Sequence, residues 1–210
     1  MRPLHGSCRR QVLDDSPQVL AQALEDDVNL AVWHRRLPAQ IEDFSNLVLG
    51  LEHCLSDDRI IEVSDERAPV LDGLFGTAAD VHGYEAFIAD VTWLVAAFTC
   101  LLDARRVGVR IRVLESSMCP RFHVDHVPLR LLTTYSGDGS QWLAAPQPEQ
   151  NGGAVSAELE MEQVNCLQVG DVALLKGERW IGNEGHGLVH RSPPSRPGAR
   201  RLLLSLDWLG

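Results

Sequence analysis

Apolar residues recur along this chain in two rhythms, and the change from one to the other falls near residue 106. Before it, Ile41, Phe44, Leu47, Val48 and Leu51 recur at helical spacing within "PAQIEDFSNLVLGLEHCL", which predicts an amphipathic helix. A stronger three-four rhythm joins Tyr84, Phe87, Ile88, Val91, Leu94, Val95, Phe98, Leu101 and Leu102, predicting a second helix with a broad apolar face to lay on a sheet. The first 30 or so residues are polar and acidic and read as a loosely held arm. From Arg106 the period becomes two: "VGVRIRVLE" sets Val107, Val109, Ile111 and Val113 on one face and Arg110 and Arg112 on the other. "VPLRLLTTY", "SQWLA", "VNCLQV", "DVALLKG", "GLVH" and "RRLLLSLDW" follow as short strands between Gly, Pro and Asp turns. "APQPEQNGGAVSA", Ala145 to Ala157, and "RSPPSRPGA" read as loops. Helices first and about seven strands afterwards predict an α+β fold. Residues 106–210 would form an antiparallel sandwich or jelly roll, with residues 1–105 as arm and helical support of one compact domain.

Composition narrows the partners. A hydrophobic share of 45% is that of an ordinary globular chain, and the 210 residues can bury a sizeable core. With 19 Lys plus Arg against 29 Asp plus Glu, the net charge of -10 disfavours a nucleic-acid or anionic-membrane surface. A small molecule or a protein side chain is then the expected substrate class. The five cysteines, Cys8, Cys54, Cys100, Cys119 and Cys166, form no CxxC pair. The N-terminus lacks the apolar core of a signal peptide. "VTWLVAAFTCLL" is shorter than the roughly 20 residues of a membrane span. A reduced, cytoplasmic protein is expected. P-loop, GxSxG and HExxH motifs are absent from the sequence.

The chemistry concentrates in "CPRFHVDHVPLR", Cys119 to Arg130. In an extended segment residues i and i+2 point the same way, so His123 and Asp125 can reach one ion while His126 points away. A two-His, one-carboxylate face needs a third ligand and leaves other positions open. His190, ending "GHGLVH", is the best later candidate, ahead of His186 in its Gly-rich turn. On the last strand Arg201 shares a face with Leu203, Ser205 and Asp207, the more polar of the two. A guanidinium there can grip a carboxylate through two parallel hydrogen bonds. Lys176, ending "DVALLK", is the second candidate anchor, and Tyr135, in register with Leu129, Leu131 and Thr133, is a candidate cofactor contact inside the barrel. Trp142 and Trp180 are pocket-wall or core residues, and Arg121, Arg130 and Arg191 either meet an anionic substrate or stand solvated.

In order and spacing, "HVD", "LTTYSGDGSQWL", "VGDVALLKG" and a "VH" followed by an Arg eleven residues later resemble the non-haem Fe(II), 2-oxoglutarate-dependent oxygenases. The resemblance covers roughly Arg106 to Asp207 and implies a double-stranded β-helix. It further implies Fe(II) held by His123, Asp125 and His190, with 2-oxoglutarate gripped by Arg201. The implied activity is hydroxylation. "CPRFHVD", "LLKG", "GLVHRSPP" and the earlier "NLAVWHRRLP" are also similar to strings of an uncharacterised bacterial family known only as a domain of unknown function. Two features depart from the oxygenase pattern. "GSQWL" replaces a commoner Gly-Gly pair, and Cys119 lies four residues before His123. A thiolate joining the site would favour Zn(II) in a closed tetrahedral set, so a non-catalytic zinc-handling protein is the alternative expectation.

Overall fold

The computed structural model describes residues 9–64, 69–144, 164–194 and 196–209. The loop expected over 145–157 and Cys8 lie outside these residues.

Among the described residues, ten strands fall into two sheets. The larger holds β1 (Arg10–Asp14), β2 (Val28–Trp33), β3 (Ser56–Glu62), β4 (Arg106–Leu114), β5 (Leu129–Ser136), β8 (Val172–Lys176) and β10 (Arg201–Trp208). Their order is β1-β2-β8-β5-β10-β4-β3, and every neighbouring pair is antiparallel except β1 with β2. The smaller has the order β7-β6-β9, from β6 (Gln141–Leu143), β7 (Val164–Cys166) and β9 (His190–Arg191). His123 extends it by pairing with His190. From β4 onward the chain crosses between the sheets: β4 large, His123 small, β5 large, β6 and β7 small, β8 large, β9 small, β10 large. That alternation is a double-stranded β-helix, the jelly roll expected from the strand pattern.

Each face of the large sheet buries its own core. On the outer face β4 presents Val107, Val109, Ile111 and Val113, and β10 presents Leu202, Leu204 and Leu206. Two helices cover them. α1 (Ala39–Leu49) contributes Ile41, Phe44 and Val48 and stops at Gly50. α2 (Tyr84–Leu102), spanning the residues its rhythm predicts, contributes Phe87, Val91, Leu94, Val95 and Phe98. By length and composition α2 is also apolar enough to cross a membrane, but here one side of it packs on the sheet. On the inner face Leu30, Val32, Leu132, Ala173 and Leu175 meet Trp142, Leu167 and Leu188 between the sheets.

The N-terminal segment corrects the sequence reading. From Arg10 onward it is no loose arm, and the sheet does not begin at residue 106, because β1, β2 and β3 all join it. Val28–Val32 is buried at every position, so its sequence shows a short apolar run in place of an alternation, as strands covered on both faces do. β3, "SDDRIIE", is an edge strand whose charges mask its period and discourage pairing with another chain.

Candidate metal centre

Two chain segments meet at the site. His123 and His190 exchange backbone hydrogen bonds, each amide donating to the other's carbonyl at 3.0 Å. Both rings are then turned the same way by their own backbone. The Nδ1–H of His123 donates to the Arg121 carbonyl and that of His190 to the Leu188 carbonyl, each at 3.1 Å. This leaves both Nε2 atoms to face Asp125, as N–H donors to it when the rings are protonated and as lone-pair donors to an ion when they are neutral. Asp125 stands between them, with Oδ1 at 3.5 Å from His123 Nε2 and Oδ2 at 3.4 Å from His190 Nε2. One ligand atom from each of the three lies within 4.8 Å of the others. His190 is buried, Asp125 nearly so, and His123 is about a third exposed, so the cluster opens on the His123 side.

The backbone beneath Asp125 is held by the turn after β8. The Asp125 carbonyl accepts the Glu178 amide at 2.9 Å, and the Gly177 amide donates to the Pro128 carbonyl at 3.0 Å. A Cβ on Gly177 would stand 2.5 Å from the Asp125 carbonyl oxygen and 2.1 Å from that of Val127, so only glycine fits. The electrostatics favour a carboxylate. Burial pushes the Asp125 carboxyl up, but hydrogen bonds from His123 and His190 and the charges of His190 and Arg130 outweigh it and hold it far below the usual range. The bond to Asp125 raises the His123 pKa, against burial.

Arg201 is buried at 6% exposure on the inner face. Its Nη1 donates to the Asp138 carbonyl and its Nη2 to the Ser140 hydroxyl, both long at 3.3 Å. Its Nε is buried with no partner among the described residues. Burial pushes its pKa down to about 10, with only Asp138 opposing. It borders a small, solvent-open recess beside Ser117, Asp138, Ser192 and Pro193, the last two just beyond His190.

The remaining expected site residues lie elsewhere. Tyr135 is not inside the barrel: it points from the helix-facing side of β5, edge-on to Phe87, and its hydroxyl donates to Asp90 at 2.6 Å. Lys176 also leaves the site, burying its ammonium against the Trp180 ring and donating to the Glu25 carbonyl at 2.5 Å. Cys119 is exposed and its thiol is not part of the ligand cluster, although its backbone bonds Ser192. Trp142 packs between the sheets and donates to Gln11 at 3.0 Å, while Trp180 lies against Trp208. Arg191 stacks on Phe122 and bonds Gln141, Arg121 is exposed, and His186 stands outside the cluster. Arg130, expected either to meet an anionic substrate or to stand solvated, donates to Asp125 at 2.7 Å and to Asp207 at 2.6 and 3.1 Å. The available signal was its position between Leu129 and Leu131, where a strand charge needs a buried partner.

Comparison with solved structures finds similar shapes at low identity. A dioxygenase for auxin oxidation from rice matches at 13% identity and TM-score 0.47, covering 91% of this chain and 76% of that one. A prolyl-4-hydroxylase from Pseudomonas putida matches at 11% and 0.45, covering 91% and 96%. An oxidoreductase of the 2OG-Fe(II) oxygenase family from Burkholderia pseudomallei matches at 11% and 0.41, covering 94% and 95%. No curated protein matches the chain. The family described as "Protein of unknown function (DUF1826)" matches residues 14–207, nearly the whole described fold, and the chain therefore belongs to the DUF1826 family.

Proposed function

We propose that this chain is an oxygenase that uses Fe(II) and 2-oxoglutarate to hydroxylate a small molecule or a protein side chain. The observation that carries this reading is the convergence of one ligand atom from each of two histidines and one carboxylate within 4.8 Å between the sheets of a jelly roll. Two neutral imidazoles and a carboxylate on one side of an ion suit Fe(II), and the donor set fits. His123, Asp125 and His190 would hold the metal, and Arg201 would take the distal carboxylate of 2-oxoglutarate. The unpartnered Nε and the two long hydrogen bonds of Arg201 mark a guanidinium short of an acceptor, which a carboxylate would supply. Bound there, iron and 2-oxoglutarate would supply the oxygen chemistry. The protein's part is to keep both Nε2 atoms aimed, to hold Asp125 ionised, and to exclude water with Trp142, Leu188 and their neighbours.

The zinc-handling alternative rested on Cys119 as a fourth ligand, and that thiol does not join the three others. Anaerobic addition of Fe(II) and then 2-oxoglutarate to the purified protein is expected to give a weak visible charge-transfer band that His190→Ala abolishes. Absence of the band, with zinc recovered tightly bound, would reject the oxygenase.

A further inference from the structure

The two oxygens of Asp125 are not equivalent. Oδ2 accepts the 2.7 Å hydrogen bond from Arg130 Nη1 and also lies 3.4 Å from His190 Nε2, while Oδ1 faces His123 Nε2 alone. Arg130 is itself fixed from behind, through Nε to Asp207 Oδ1 at 2.6 Å and Nη2 to Asp207 Oδ2 at 3.1 Å. Asp207 is 2% exposed, sits opposite Arg130 across the β10–β5 pairing, and is also bonded by Arg110 from β4. A guanidinium is planar, so two bonds to one carboxylate set the direction in which the third N–H points. Three neighbouring strands thus aim one donor at one oxygen of the candidate metal ligand.

We propose that Arg130, anchored by Asp207, is a positioning residue that restricts Asp125 to binding the metal through a single oxygen. This rests on the metal-centre reading above. With one lone pair of Oδ2 and its direction held by Arg130, Oδ1 is the freer donor and chelation through both oxygens is disfavoured, so coordination positions that a second oxygen would fill stay open for co-substrate. An ion pair serving stability alone would need no such aim. Lysine at 130 would keep the charge but could not hold Asp207 through two bonds while pointing a third at Asp125.

Co(II) is the probe, read by titration of its visible absorption on the full chain, with melting of the metal-free protein measured separately. Outer-shell partners of metal ligands typically contribute 10–100-fold in affinity. Arg130→Met is expected to weaken Co(II) binding by roughly that factor and to change the absorption envelope, as a second Asp125 oxygen enters the coordination shell. Arg130→Lys should recover part of the affinity without restoring the envelope, and Asp207→Asn should show the same change in smaller measure. These two variants carry the comparison if Arg130→Met does not fold. Wild-type affinity and spectrum in all the variants that fold, with only the melting temperature lowered, would overturn the proposal. So would full restoration of both by Arg130→Lys. His123→Ala separates the two levels. If wild type binds Co(II), His123→Ala does not, and the Arg130 variants bind normally, only the positioning role falls. If wild type does not bind Co(II), the metal centre falls with it.

Discussion

Arg201 sits where its charge is unfavourable. Its pKa falls to about 10, well below the ordinary arginine value, so the unfolded chain holds this proton more tightly than the folded one. The sign follows: the charged group opposes folding at every pH below about 10, and the penalty fades only as pH rises above that toward the ordinary arginine range. The difference corresponds to about 3 kcal/mol. A methionine of similar length would relieve it. Arg201→Met is therefore expected to leave the metal-free melting temperature unchanged or higher, while cutting 2-oxoglutarate affinity of the metal-loaded protein at least about tenfold. Calorimetry on both forms checks both halves, and a large loss of stability would show that Arg201 serves packing instead. At this scale the sequence was readable where spacing fixes direction. His123 and Asp125, two apart in an extended segment, do point together. Tyr135 and Lys176 were misplaced because β5 and β8 are buried on both faces, and period two separates the faces without saying which one lines the site.

Between elements, the tie that sets α2 on the sheet is polar. Arg35, just after β2, donates two hydrogen bonds to Asp90 on α2, at 2.6 and 2.9 Å, and a third to the Gly170 carbonyl at 2.8 Å. Tyr135 on β5 adds its hydroxyl to the same carboxylate. Arg35 and Asp90 side chains are 9% and 13% exposed, so breaking the pair leaves a buried charge behind. Asp90→Ala should cost about 3–5 kcal/mol in denaturant unfolding. Co(II) affinity should stay the same, since the cluster lies on the other face of the sheet. An equal loss of metal binding would mean that the two faces are coupled. α2, β4 and β10 were legible because each buries one face and exposes or differentiates the other. β2 escaped notice because an interior strand has no polar face to mark its period, and β3 because a charged edge strand resembles a loop.

At the scale of the molecule, the two sheets differ in size among the described residues, seven strands against three. The N-terminal strands explain the difference. β2 seals the free edge of β8, and β1 seals β2 in turn, so the first third of the chain completes a sheet begun in its second half. The reciprocal backbone bonds between His123 and His190 carry a further meaning for the order in which this protein folds. His123 precedes β5 and His190 follows β8, so both ligands reach one place only after the intervening strands have found their partners. Such distant pairings form late, once the entropy of closing the long loop has been overcome. An ion cannot seed this barrel, because the ligands that would capture it are not yet neighbours. Saturating Co(II) should therefore leave the refolding rate unchanged and act on the unfolding rate alone, slowing it in proportion to the binding free energy. Stopped-flow folding with and without the ion would show this as one limb of the chevron moving and the other standing still. Faster refolding would instead mean that the ligand pair forms in the transition state. On the proposed metal-centre reading, the ion would be a late arrival that locks a finished barrel.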